Sequence, residues 1–196
     1  MVGLKGFNPP QGVYYEALIQ VISPEVASFT ADWLTVQVTR DRFAASSSDP
    51  SQFEMLRDFV LGAFGLLEHT PLSKMGINRD MHYRMESVEE WHAVGHLLAP
   101  KEVWRKSMQD PGLENLTIIG RRPGSTAKIF RVTVQPSTRM PKGAVGVYIA
   151  TNEHFENEEG DASQRLLTVL RDHWRDATEY AKTVAEGILT HEGLRG

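Results

Sequence analysis

Two histidines four residues apart, His92 and His96, lie in the stretch ESVEEWHAVGHLLAP from Glu86 to Pro100. On a helix that spacing stacks imidazoles on successive turns, where they can share a zinc ion. Glu89 falls on the same stripe one turn before His92, so Glu89, His92 and His96 form a candidate metal-ligand set, with His82 or His154 as a further ligand. Such a site would make the chain a metal-dependent hydrolase, with a metal-bound water as nucleophile and Glu89 as ligand or general base. A zincin carries a glutamate beside its first histidine, and here Ala93 occupies that place. Val88, Trp91, Val94 and Leu98 define the buried side of the helix. They turn His92 and His96 roughly 115° and 155° from its centre, toward solvent or a cleft edge. The pair is therefore read first as the polar edge of an ordinary helix, and no metal or other cofactor is expected.

Other chemistries find little to work with. The chain has no cysteine, which removes disulfides, thiol nucleophiles, thiolate zinc sites and iron–sulfur clusters together. The serine-hydrolase, P-loop and dinucleotide signatures G-x-S-x-G, G-x-x-x-x-G-K-[ST] and G-x-G-x-x-G are absent. An acid–base pair among 25 carboxylates is defined by separation in space, which sequence does not provide.

Charge is segregated. No acidic residue lies between Glu114 and Glu153, whereas Arg121, Arg122, Lys128, Arg131, Arg139 and Lys142 do, in a chain whose net charge is -4. This segment is a candidate anion-binding face. Its arginines fall at opposite ends of a strand, ~30 Å apart at ~3.3 Å per residue, and only Phe130 and Tyr148 interleave with them. Nucleic acid is therefore not expected as a partner, and pairing with the acidic segment NEHFENEEGD is the alternative. That segment, with Glu153, Glu156, Glu158, Glu159 and Asp161, lacks the calcium-loop spacing and is read as a solvated loop.

The elements that must position these residues follow from periodicity. Val13, Tyr15, Ala17, Ile19 and Val21 alternate as a strand that Ser23-Pro24 ends, and DWLTVQVTRDRF reads as a second strand leaving through the polar loop AASSSDPS. Asp49 caps a helix with Pro50 in its first turn and an apolar stripe of Phe53, Leu56, Val60, Phe64 and Leu67. LSKMGINRDMHYRM sets Met75, Ile77, Met81, Tyr83 and Met85 against polar neighbours, with Arg79 as the misfit. A capping box of Ser87 and Glu90 opens the histidine helix, and PKEVWRKSM is expected to continue as a short helix. Three strands follow, LENLTIIG, AKIFRVTVQ and AVGVYIAT. A long helix from about Ala162 to Thr190 then buries Leu166, Leu170, Trp174, Ala177, Ala181, Val184 and Ile188. The last three strands can only form a meander. The fold class is α+β, a mostly antiparallel sheet with interspersed helices, in one domain over 1–196.

The segment LEHTPLSKMGINRDMHY, with the antiparallel sheet and the long closing helix, resembles SecB-like proteins and related bacterial α+β domains. The resemblance implies a four-stranded antiparallel sheet followed by helices, with apolar grooves that bind unfolded chains in a tetramer. This sequence departs from that plan by placing helices between its strands.

No apolar run approaches the ~20 residues of a bilayer span, the longest being FVLGAFGLL from Phe59 to Leu67, so no membrane partner is expected. The start MVGLKGFNPPQG carries no secretory pattern, and a cytoplasmic address is expected. The leading functional expectation is a non-enzymatic protein-binding or assembly domain that self-associates or holds a protein partner. The hydrolase above and a small-ligand pocket between the sheet and the long helix are its alternatives.

Overall fold

A computed structural model describes residues 18–23, 25–67, 69–158 and 163–194, the first five of them as backbone only. The fold is α+β, with two antiparallel sheets and a long C-terminal helix. The chain gathers into two compact units, Met1–Leu67 and Glu68–Gly196.

In the first unit, β1 (Leu18–Ile22), β2 (Val26–Ala31), β3 (Leu34–Thr39) and β4 (Phe43–Ser46) pair antiparallel in chain order. Val13 to Ala17 lie outside the described residues. Two strands were expected here, and β2 and β4 correct that count. VASFTA carries no clean alternation, and all its residues are half-buried, so it lacks a period-2 signature. The β2–β3 turn is tight because Asp32 adopts φ 46°, one of the few left-handed positions a short polar side chain tolerates. The expected polar loop begins as β4, which Phe43 anchors against α1 (Phe53–Leu66), its ring 5.2 Å from Phe64 and 6.5 Å from Phe59. Asp49 caps as expected, accepting from Ser51 N at 2.9 Å, although it opens a 3-10 turn before α1. Of the expected stripe, Leu56 and Phe64 are buried, and Leu67 is exposed.

The second unit holds β5 (Lys74–Arg84), α2 (Val88–Leu98), β6 (Leu116–Gly120), β7 (Ile129–Pro136), β8 (Gly146–Glu156) and α3 (Ser163–Leu189). The sheet order is β5-β8-β7-β6, so the expected meander is present and β5 closes on its last strand. Register sorts the side chains. Ile77, Met81 and Tyr83 of β5 share a face with Val147, Ile149 and Phe155 of β8 and with Val132 and Val134 of β7. Onto that face pack α3, through Ala181 and Ala185, and α2, through Val94. Leu170 and Trp174 are buried, while Arg171, Asp172 and Arg175 face water, as the helical period requires.

The opposite face carries Asn78, Asp80, His82, Arg131, Thr133, Gln135, Tyr148, Asn152 and His154. It is polar, and among the described residues no helix of this unit packs on it. On this face Tyr148 lies against His82, with ring centroids 4.8 Å apart.

Two further expectations are corrected. PKEVWRKSM does not form a helix. It makes successive turns, Trp104 N to Lys101 O at 3.0 Å and Ser107 N to Trp104 O at 2.8 Å. Pro100 removes a donor, and Lys101 turns inward to end α2, donating from Nζ to Gly95 O at 2.8 Å and Ala99 O at 2.5 Å. The acidic run does not begin as a loop either, since β8 continues through NEHFE to Glu156.

Candidate functional site

Glu89, His92 and His96 are all exposed on α2. Ser87 caps this helix by accepting from Glu90 N at 3.1 Å, while the Glu90 carboxylate accepts from Glu86 N at 2.7 Å, one residue before the position a full capping box would use. The Glu89 carboxyl lies below its ordinary pKa chiefly because its own backbone N–H and then the Ser87 hydroxyl donate to it, with His92 contributing least. His92 and His96 border a cleft of about 90 Å³ with Trp91, Leu113 and Gln135. Among the described residues, no group of three or more His, Asp or Glu side chains is arranged to hold a metal ion. The further ligands considered, His82 and His154, lie on the polar face, with the sheet between them and α2. There His82 Nδ1 meets Ser137 Oγ at 2.8 Å, and His154 Nε2 meets Glu156 Oε1 at 3.0 Å.

The segregated charges pair within the chain. Arg122, buried between the β6–β7 connection and α3, donates from Nη1 to Glu153 Oε2 at 3.2 Å and from Nη2 to Asp176 Oδ2 at 2.6 Å, with its guanidinium 4.1 Å above the Tyr180 ring. Ser125 Oγ donates to the other Glu153 oxygen at 2.5 Å, so both oxygens of a carboxylate only 3% exposed are satisfied. Lys128 bonds Glu156 on the polar face, and Lys74 adds a longer contact at 3.6 Å. Lys128, then His154, hold the Glu156 carboxyl down to about 2. Two of the six basic residues, Arg122 and Lys128, thus pair with Glu153 and Glu156 of the acidic segment, as the alternative raised from sequence expects.

Two places remain where side chains or backbone are left available. The first is a cleft of about 210 Å³ on the polar face, lined by Asp80, His82, Gln135, Thr138, Arg139 and Tyr148. Burial, then the Arg139 charge, push the His82 pKa below its usual value against the pull of Asp80. Burial, then Asp80, push the Tyr148 phenol up. Asp80 acts on Tyr148, whereas His82 meets Ser137. These are separate pairs rather than the hydroxyl–imidazole–carboxylate relay that activates a nucleophile.

The second is the outer edge of β6. Among the described residues this strand pairs only with β7, and Ile118 and Ile119, on opposite faces, are 58% and 59% exposed. Ile118 belongs to the helix-bearing face, but α3 packs over β5 and β8 and leaves this edge bare. The direction of the free backbone groups follows from the ladder. Ser137 N donates to Gly146 O at 2.8 Å, so odd residues of β7 bond β8 and even residues bond β6. Leu116, Ile118 and Gly120 therefore direct their main-chain groups to β7, and Thr117 and Ile119 point theirs outward. The sequence reads LENLTIIG as a strand but carries no signal for an edge, because strand order is a tertiary property.

No helix among the described residues is long and apolar enough to cross a membrane. Compared with family models, with curated proteins and with solved structures, the chain matches none.

Proposed function

We propose that the protein is a non-enzymatic protein-binding or assembly domain that seats another polypeptide along the outer edge of β6. The observation that carries this reading is an unprotected edge strand with two exposed isoleucines. Native edges are usually blunted by charge, proline or a covering element, and Leu116–Gly120 contains neither charge nor proline. Strand addition at such an edge uses main-chain hydrogen bonds for affinity and alternate side chains for selectivity. The other edge, β5, is less suited to this, because Lys74, Asp80 and Arg84 punctuate it. The resemblance to SecB-like proteins, which bind unfolded chains, and a cytoplasmic address belong to the same proposal.

The test is fluorescence anisotropy with a permanently unfolded chain, reduced and carboxymethylated lactalbumin, alongside sedimentation equilibrium of the protein alone. Ile118→Lys places a charge on the edge at an exposed position and leaves the fold intact. Saturable binding or self-association that Ile118→Lys abolishes supports the reading. A protein that binds no unfolded chain and sediments as a monomer at every concentration sinks it.

A further inference from the structure

We infer that the partner seated on β6 is a second copy of this chain, paired antiparallel about Ile118, so that two sheets of the second unit join into one continuous sheet. This rests on the reading of β6 as a docking edge and adds its occupant, orientation and register.

The orientation follows from charge. The segment Glu114 to Arg121 has its acid at one end and an exposed arginine at the other, with an uncharged strand between them. Glu114 and Arg121 are exposed and make no ion pair among the described residues. An antiparallel second copy brings each acidic end to the basic end of its neighbour, whereas a parallel copy stacks Glu114 on Glu114 and Arg121 on Arg121. The segment is complementary to itself in one direction only.

The register follows from which backbone groups are free. Thr117 and Ile119 carry the outward N–H and C=O groups, so across a two-fold axis an outward residue must oppose an outward residue. That parity places the axis on a residue. Centring on Ile118 pairs every residue of the strand: Thr117 of one copy exchanges main-chain hydrogen bonds with Ile119 of the other, Leu116 stands opposite Gly120, and Ile118 meets Ile118. Centring on Thr117 or Ile119 leaves part of Leu116–Gly120 without a partner. In the Ile118-centred register both exposed isoleucines gain neighbours, one on each face, and the large Leu116 lies over the small Gly120. An interface built on one short strand is smaller than the ~1,600 Å² of a standard complex, the size class of weak, transient contacts.

The chain has no cysteine, so a single introduced thiol reports on one position. At a non-hydrogen-bonded pair on the axis, the two Cα atoms of position 118 stand ~4.5 Å apart, within disulfide reach, whereas the two at position 117 are diagonal neighbours ~7–8 Å apart and beyond it. Sedimentation equilibrium of the wild type should show a monomer–dimer equilibrium at micromolar concentration that Ile118→Lys eliminates. Under mild oxidation Ile118→Cys should form a covalent dimer about tenfold faster than Thr117→Cys.

Equal linking rates at the two positions, or a dimer that persists in Ile118→Lys, would overturn the proposed pairing. A wild-type monomer with no accelerated linking at 118 would overturn the second copy as occupant. In that case, loss of unfolded-chain binding in Ile118→Lys would still uphold β6 as a docking edge, so the two ideas fail separately.

Discussion

Replacing Glu153 with alanine removes the carboxylate to which Arg122 is fastened, at a position 3% exposed. The guanidinium left behind has a side chain only 8% exposed and cannot recover its hydration without opening the β6–β7 connection. Breaking a buried ion pair from one side costs ~3–5 kcal/mol. The low end applies, ~3 kcal/mol, because Arg122 keeps Asp176 at 2.6 Å and the Tyr180 face at 4.1 Å. Asp176 is the contrasting partner, since its side chain is 62% exposed and already hydrated. Asp176→Ala should therefore cost under ~1 kcal/mol despite the shorter bond. Glu153→Gln, which keeps an acceptor for Ser125 and Arg122 but not the charge, should fall between, at ~1–2 kcal/mol. Urea denaturation followed by helical circular dichroism, weighted to α3, measures all three. A Glu153→Ala cost below ~1 kcal/mol, or an Asp176→Ala cost equal to it, would refute the claim that burial rather than distance sets the strength of this cluster.

Trp174→Ala should cost ~3–5 kcal/mol as a large-to-small change in the core, while Trp174→Phe should cost much less. The indole Nε1 is buried and finds no acceptor among the described residues, so the smaller ring discards an orphan donor along with some area, a difference the same denaturation measures. Gly146→Ala should destabilise by ~1–3 kcal/mol, because a Cβ there would lie 2.6 Å from the backbone oxygen of Tyr83 and from Met140 Sδ, and the first of these cannot move aside; thermal unfolding would show it. The Glu156 carboxyl is depressed from its ordinary 4.5 to about 2, so its contribution is complete above pH 4.5 and is lost as pH falls toward about 2. Stability of wild type minus Glu156→Gln, followed from pH 6 to 2, should therefore shrink across that window, and a flat difference would contradict the pairing with Lys128 and His154.

The sequence alone determined the features that one element's own periodicity encodes. Leu166, Leu170, Trp174, Ala177 and Ala181 recur at helical spacing, and α3 runs Ser163–Leu189 where about Ala162 to Thr190 was expected. The alternation of Met75, Ile77, Met81 and Tyr83 marked β5 in the same way, because each side chain's face depends only on its place in the strand. His92 and His96 could be placed on the outer side of α2 by the same logic. What depended on residues distant in the chain was decided by tertiary structure. Arg122 and Glu153 are 31 positions apart, and His82 and Ser137 are 55, so only the pairing of β5, β7 and β8 converts them from a charge run and a lone histidine into a buried ion pair and one wall of a cleft. The short strands β2 and β4 needed neighbours to complete them, since their half-buried residues carry little alternation of their own. The exposed edge at Ile118 and Ile119 is the furthest from sequence. An isoleucine reads the same in a central strand as in an edge strand, and only strand order, together with the limited reach of α3, leaves β6 with backbone groups and apolar side chains facing outward.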